Sequence, residues 1–223
     1  PRSSSRCGAR PRDGSSNTVA SLFRWGGRAR ASSSSPASEP AAGQAAGSAT
    51  SKVLPKLLQA LGTIDAPVLM DLGPVVGANI SFLGEELGCR IFVEDLFAVV
   101  EEHGRAGTRE QLVDVLPAKL TRADASVDGI FCWDLFDYLD RETARVLAAR
   151  LVAILRPGGV LYAFFGSKPG ELQHYNRFRI EDRDRIATQQ VPATPTSRLV
   201  LVNRDVNRMF DGLVVSESVL LKK

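Results

Sequence analysis

A glycine turn follows a short apolar strand in the first half of the chain. Residues 68–79 are VLMDLGPVVGAN, where an apolar run ends at Asp71-Leu72, Gly73 and Gly77 follow, and a helix pattern begins near Ala78. Glycine has no Cβ, so the backbone turns sharply there and approaches a ligand closely. The start of the helix offers unpaired N–H groups to a carboxylate or phosphate. The segment therefore indicates a nucleotide-like ligand.

Polar and reactive side chains follow two further predicted strands. A carboxylate has two acceptor oxygens, which suit the two hydroxyls of a ribose. The carboxyl ends of parallel strands meet at one edge of a sheet, so we expect these side chains to line the same crevice. They are Glu94 and Asp95 after the second strand, and Cys132, Trp133 and Asp134 at the end of the fourth.

Strands and helices alternate along the chain from residue 52 onward. This alternation predicts an α/β fold with a doubly wound, mostly parallel sheet and right-handed crossovers. The pattern after residue 166 changes, and residues 178–191 are typical of an exposed charged hairpin. Strands are predicted at 67–72, 90–94, 112–115, 128–133, 160–165, 199–202 and 213–221, and helices at 52–61, 78–87, 96–103, 141–155 and 205–211.

Several of these segments resemble the class I S-adenosylmethionine-dependent methyltransferases. The resemblance covers residues 67–221 and implies a Rossmann-like methyltransferase fold with S-adenosyl-L-methionine as cofactor. It does not identify the acceptor, because residues 166–200 carry no recognisable signature. The matching stretches are DLGPVVGAN, VED, ASVDGIFCWDLFDYL, LRPGGVLYAFF and NRMFDGLVVSES.

The resemblance also implies roles for individual residues. Asp71, Gly73 and Gly77 shape the pocket for the methionine end of the cofactor. Glu94 binds the ribose hydroxyls, with Asp95 beside it. The remaining cofactor residues are Asp114, which sits where the family often places an acid near the adenine amino group, and Cys132, Trp133 and Asp134, which line the methyl-transfer face.

Catalysis in such an enzyme needs few dedicated groups. Methyl transfer from a sulfonium is a direct displacement, so positioning supplies much of the acceleration. A general base is needed only if the acceptor loses a proton, and Asp134, Asp137 and Tyr138 are the candidates. Asp137 and Tyr138 are equally compatible with a surface turn before the next helix. The Asn/Asp-Pro-Pro-Tyr/Phe signature is missing, which argues against methylation of nucleic-acid bases.

Other functions remain open or are disfavoured. Pro74 and Val75 stand where the methyltransferase loop usually has small residues, so a degenerate, cofactor-binding protein with a regulatory or interaction role is the alternative. A dinucleotide-dependent oxidoreductase is disfavoured, because Val75 and Ala78 stand where G-x-G-x-x-G needs glycine. A phosphate-binding loop of the G-x-x-x-x-G-K-S/T type is missing as well.

Charge and composition divide the chain near residue 50. Residues 1–50 hold seven arginines and two acids, and the remainder is near neutral, so there is no strong nucleic-acid signal. We expect 1–50 to be a disordered Arg/Ser/Ala-rich tail, with a transient helix at 19–25, dispensable for folding. Its composition is also that of an organelle transit peptide. Residues 51–223 fit one methyltransferase-like domain, and without an apolar run of membrane-spanning length we predict a cytoplasmic protein.

The cysteines and the C-terminus complete the expectations. Cys7, Cys89 and Cys132 are far apart, and the two histidines have no partner at ligand spacing, so we predict no metal site. In the resembling family a seventh strand inserts antiparallel between the fifth and sixth. Because residues 213–221 fit the sixth strand, we expect the seventh to be missing here, with unpaired strand edges that favour self-association.

Overall fold

The structure, a computed structural model, describes residues 18–24 and 46–221 of the chain. Among these residues, short 3₁₀ turns occur at Arg109–Gln111 and Leu135–Tyr138. In chain order the other elements are β1 (Thr18–Arg24), β2 (Ala46–Thr50), α1 (Leu54–Leu61), β3 (Val68–Asp71), α2 (Gly77–Leu87), β4 (Arg90–Val93), α3 (Leu96–Ala106), α4 (Leu112–Lys119), β5 (Val127–Trp133), α5 (Arg141–Ile154), β6 (Leu155–Gly166), β7 (Glu171–Asp182), β8 (Arg185–Ser197), α6 (Asn203–Met209) and β9 (Val214–Leu221).

The main sheet has six strands in the order β4-β3-β5-β6-β1-β9. Strands β4, β3, β5 and β6 pair in parallel, and β1 is antiparallel to both of its neighbours. Five strands therefore point the same way, which confirms the α/β class and the mostly parallel sheet. A second sheet, in the order β2-β8-β7, is antiparallel.

Helices pack on both faces of the main sheet, because its strands are apolar on both sides. One face, with Leu69 of β3 and Phe131 of β5, buries α1, α2 and the isoleucines of the second sheet. The other face, with Met70 and Ile130, buries α3, α4, α5 and α6. Successive residues of a strand point to opposite faces, so a single run such as VLMD supplies both layers.

The longest helix illustrates how the sequence sets an element that positions the site. Asp140 caps α5, since its Oδ1 accepts hydrogen bonds from the backbone N–H groups of Glu142 and Thr143 at 2.9 Å each. Leu147 and Leu151, four residues apart, are fully buried. The predicted helix at 141–155 is thus confirmed within one residue, and its N-cap Asp140 lies two residues after the turn at Leu135–Tyr138.

Two of the strand predictions, at residues 112–115 and 199–202, are wrong. Residues 112–115 lie in α4, because Leu112 and Leu116 are both buried, and this spacing of four is that of a helix rather than a strand. Residues 199–202 form no strand; the backbone N–H of Leu199 instead donates to the carbonyl of Asp137 at 2.9 Å. The hairpin predicted at 178–191 is confirmed and extends further, as β7 and β8.

The N-terminal stretch departs most from the sequence-based expectation. Thr18–Arg24 is neither disordered nor helical but forms β1, between β6 and β9, and Ala46–Thr50 forms β2. Leu22 and Phe23 are both buried, each in the core on a different face of the sheet. Composition gives no sign of this, because the backbone bonds come from distant strands. The rest of residues 1–50 lies outside the described residues.

Strand β1 also changes the expectation for the sheet edges. The position between β6 and β9, which the sequence left unfilled, is occupied by β1, and β6 is paired on both sides. We expected the fifth and sixth strands to be unpaired or to pair directly with each other, and this expectation is therefore wrong. Within the described part of the chain, no helix is both long and apolar enough to cross a membrane.

Candidate functional site

The candidate site begins at Asp71, the last residue of β3. Asp71 lies opposite Val93 of β4 and Phe131 of β5, so the residues that follow those two strands gather around it. Its side chain is only 3% exposed, and its Oδ1 accepts two hydrogen bonds, from Gly73 N at 2.9 Å and from Trp133 Nε1 at 2.6 Å. Burial raises the pKa of Asp71 to about 6, against the opposing effect of these two bonds.

Trp133 lies directly on the glycine turn. A Cβ at Gly73 would come within 2.6 Å of Trp133 Cδ1 and 2.8 Å of Nε1, so no side chain fits there while the indole is in place. Trp133 is 2% exposed. In this structure, glycine at position 73 is required by the packing of the indole. Gly77, at the start of α2, differs, since a Cβ there would meet no atom within 4 Å.

The hairpin β7–β8 covers this end of the site. Phe178 of β7 stacks on Trp133 with ring centroids 5.1 Å apart and an interplanar angle of 9°. Asn79 of α2, itself buried, fixes the strand: its Nδ2 donates to Phe178 O and its Oδ1 accepts from Ile180 N, both at 2.8 Å. Phe178 and Asn79 are not among the site residues predicted from the sequence, and the apolar positions that alternate along β7 are the signal that could indicate the first.

Glu94 and Asp95 lie at the adjacent strand end, as predicted. The backbone N–H of Glu94 donates to Asp71 O at 2.8 Å, which fixes Glu94 beside the turn. Its carboxylate is partly exposed and has no hydrogen bond or ion pair with any residue that the structure describes. Asp95 has a structural role, because its Oδ1 accepts from Ala98 N at 3.0 Å and caps α3.

A buried polar cluster follows β5. The Asp134 carboxylate accepts a hydrogen bond from the side-chain amide of Asn176, on β7. The hydroxyl of Tyr138 donates to His174 O at 2.9 Å and lies 3.5 Å from Asp134 Oδ2. Burial, followed by the charge of Asp134, raises the pKa of Tyr138 well above its ordinary value. Tyr138 is therefore a neutral donor at physiological pH and not a base.

Asp137 belongs to the same turn but bonds in another direction. Its Oδ1 accepts from Gly166 N at 2.8 Å, at the end of β6, and its Oδ2 lies 3.0 Å from Arg198 Nε. Burial and the charge of Asp134 raise the pKa of Asp137 to about 7, while Gly166 and Arg198 oppose the shift. Asp137 is thus buried, contrary to the surface-turn interpretation.

Two predicted residues lie elsewhere. Cys132 is fully buried in the core on the face of the sheet covered by α3 to α6, and burial raises the pKa of its thiol. Asp114 is exposed on α4 rather than at a strand end. Their assignments as cofactor residues remain predictions. Among the described residues, no group of three or more His, Cys, Asp or Glu is placed to hold a metal ion.

A small cavity lies beyond the end of β6. It has a volume of about 100 Å³, and its wall combines polar and apolar residues of β1, β6, β9 and α6. None of the predicted site residues lines it. The lining includes Ser21, Phe165, Gly166, Asn203, Val206 and Ser218.

Comparison with known proteins adds no identification. No protein-family model matches this chain. No curated protein sequence matches it at a significant level. The function must therefore be argued from the arrangement of Asp71, Gly73, Glu94 and Trp133 at the carboxyl edge of the parallel strands.

Proposed function

We propose that this chain binds S-adenosyl-L-methionine at the carboxyl edge of β3 and β4 and transfers its methyl group to an acceptor. The observation that carries the proposal is the Glu94 carboxylate. It is partly exposed, unpartnered among the described residues, and held beside the β3–α2 turn by the bond from Glu94 N to Asp71 O. Ligands of open α/β sheets bind at this edge, and a carboxylate there accepts the two ribose hydroxyls.

The residues fit such a cofactor unequally at its two ends. At the ribose end, Glu94 offers both oxygens. At the methionine end, the turn at Gly73 and the open face at Gly77 provide backbone close to the α2 N-terminus, but Trp133 lies on Gly73. The fit at that end therefore requires the indole to move.

Direct methyl transfer requires the protein mainly to position the two reactants. When bound, S-adenosyl-L-methionine supplies a methyl group on a positively charged sulfur. The chain orients the reactants and excludes water, which accounts for much of the rate in a direct displacement. If the acceptor must lose a proton, Asp137 is a candidate base, because burial raises its pKa to about 7, and its two oxygens would first have to leave Gly166 N and Arg198 Nε.

Binding of S-adenosyl-L-methionine to Glu94→Ala and Glu94→Gln, measured by calorimetry, tests the proposal. Loss of hydrogen bonds to a charged group costs roughly 1.5–3 kcal/mol, so affinity should fall about ten- to a hundred-fold in Glu94→Ala. Glu102→Ala, which removes an exposed carboxylate of α3, is the matched control. Equal affinity in all four proteins would refute the assignment of Glu94.

A second function has one observation in its favour. The indole of Trp133 fills the space above Gly73, at the methionine end of the proposed site, so a cofactor held only at its ribose end would not be positioned for transfer. Such a protein would act in regulation or interaction. Methyl-labelled S-adenosyl-L-methionine, incubated with the full chain and a cell extract, separates the two. Label on any acceptor supports the enzyme, and cofactor binding with no transfer supports the alternative.

A further inference from the structure

Trp133 has an unusual backbone conformation where β5 ends. Its φ angle is +50°, in the left-handed region that bulky residues seldom adopt. Such a conformation persists only where surrounding contacts hold it, and it clusters at ligand clamps and switches. Here the contacts include the hydrogen bond to Asp71 and the stacked ring of Phe178. The indole is held over the turn by its partners, against its own backbone preference.

The hairpin that carries Phe178 is fastened to α2 near its tip. Asn79 makes two hydrogen bonds to the β7 backbone, one on each side of Arg179. Arg183, in the hairpin turn, forms an ion pair with Glu86 of α2 at 2.7 Å between Nε and Oε2. These contacts hold the ring of Phe178 against Trp133.

A ligand at the Gly73 turn competes with the indole for the same space. With the indole in place, even a Cβ at position 73 would lie 2.6 Å from Cδ1. Phe178 stacks on the indole and Asp71 bonds its nitrogen, so the indole can leave only if the hairpin moves as well. Access to the turn is thus coupled to the position of β7.

We propose that Trp133 and the β7–β8 hairpin form a gate, closed in this structure, that opens to admit a ligand to the Gly73 turn. The identity of the ligand, S-adenosyl-L-methionine, rests on the proposed function. The burial of Ile180 and Ile186 favours the closed state without ligand. A ligand that binds only the open state shifts the equilibrium toward it.

The indole proton of Trp133 reports opening, because in the closed state it is bonded to Asp71 Oδ1. The chain has two tryptophans, so Trp25→Phe leaves Trp133 as the only indole signal in a proton–nitrogen NMR spectrum. Its hydrogen-exchange rate then follows the population of the open gate. All variants below are made in the full chain with Trp25→Phe.

Two variants are expected to open the gate. Asn79→Ala removes both hydrogen bonds from α2, and the exchange rate of the Trp133 indole proton should rise about ten-fold or more. Arg183→Ala removes the ion pair with Glu86, whose side chain is only 4% exposed, and should raise the rate several-fold in the folded protein. Arg185→Ala removes an exposed arginine at the start of β8, directly after the turn, and is the matched control, expected to leave the rate unchanged. The gate is overturned if Arg183→Ala and, where it folds, Asn79→Ala both show the same indole exchange rate as the control Arg185→Ala.

Addition of S-adenosyl-L-methionine separates the gate from the proposed function. Where calorimetry shows binding, the chemical shift of the Trp133 indole proton should change and its hydrogen exchange should become faster. Binding that leaves both the chemical shift and the exchange rate unchanged overturns the gate. Where calorimetry shows no binding in any variant, the proposed function fails. In that case only the exchange rates of the variants measured without ligand test the gate.

Discussion

Trp133 Nε1 donates a hydrogen bond to Asp71 Oδ1 at 2.6 Å and so joins the ends of the two central strands of the parallel sheet. The same oxygen accepts from Gly73 N, at 2.9 Å. One buried carboxylate therefore fixes both the glycine turn and the indole that covers it.

Stability should fall with rising pH because of Asp71. Its pKa of about 6 when folded exceeds the ordinary 3.8, so between about pH 4 and pH 6 the folded chain binds more protons than the unfolded chain. The resulting stabilisation is complete below about pH 4 and is lost as pH rises through 6, a change of about 3 kcal/mol. Asp71→Asn keeps the Oδ1 acceptor and should reduce the loss of stability with rising pH, measured by urea unfolding between pH 4.5 and 7, while the contribution of Asp137 remains. Asp65→Asn, at an exposed site, should keep it.

Alanine at Gly73 and at Gly77 should have opposite effects. Gly73→Ala forces its Cβ against Trp133, and overpacking of this kind costs about 1–3 kcal/mol of unfolding free energy. Gly77→Ala meets nothing and lies in α2, so the free energy of unfolding should rise by about 0.5–1 kcal/mol. Guanidinium melts monitored by Trp fluorescence measure both. Equal destabilisation by the two substitutions would contradict the indole packing described for Gly73.

Strand β1 should contribute to stability, contrary to the dispensable tail expected from composition. Phe23 is fully buried, and its ring lies 4.8 Å from that of Phe210 and 6.4 Å from that of Phe165. Phe23→Ala should lower the free energy of unfolding by about 3–5 kcal/mol. Val214→Ala, at a largely exposed position on β9, is the control. An unchanged melting temperature in Phe23→Ala would show that β1 does not hold the sheet together.

Arg198 should set the pKa of Asp137. The guanidinium lies 3.0 Å from Oδ2 and opposes the rise caused by burial and by Asp134. Arg198→Ala should therefore move the pKa of Asp137 above about 7, whereas Arg198→Lys should restore part of the difference. Carbon-13 NMR of the aspartate carboxyls gives both values. A pKa that does not move in Arg198→Ala would show that the ion pair does not form in solution.

The sequence alone determined the parallel core of this protein. Short apolar runs that end in glycine or an acid, alternating with helices of period 3.6, give β3, α2, β4, α3, β5 and α5 with bounds close to those found. They also give β6, which begins at Leu155 rather than at the predicted residue 160. They also place Glu94 beside Asp71, because neighbouring parallel strands end at one edge. These signals are local, and the residues that carry them lie within one element or one turn.

The elements around that core depend on contacts between distant parts of the chain. Strand β1 contributes to the sheet because β6 and β9, more than a hundred residues away in sequence, supply its hydrogen bonds, and no local pattern encodes such pairing. Likewise, the sequence marks Trp133 and Phe178 as apolar but cannot show that Phe178 stacks on the indole or that the indole lies over Gly73. Residues 112–115 became helix because burial at a spacing of four prevailed over a weak apolar run. Long-range contacts, which local propensity does not contain, thus determined both the cover of the site and the order of the sheet.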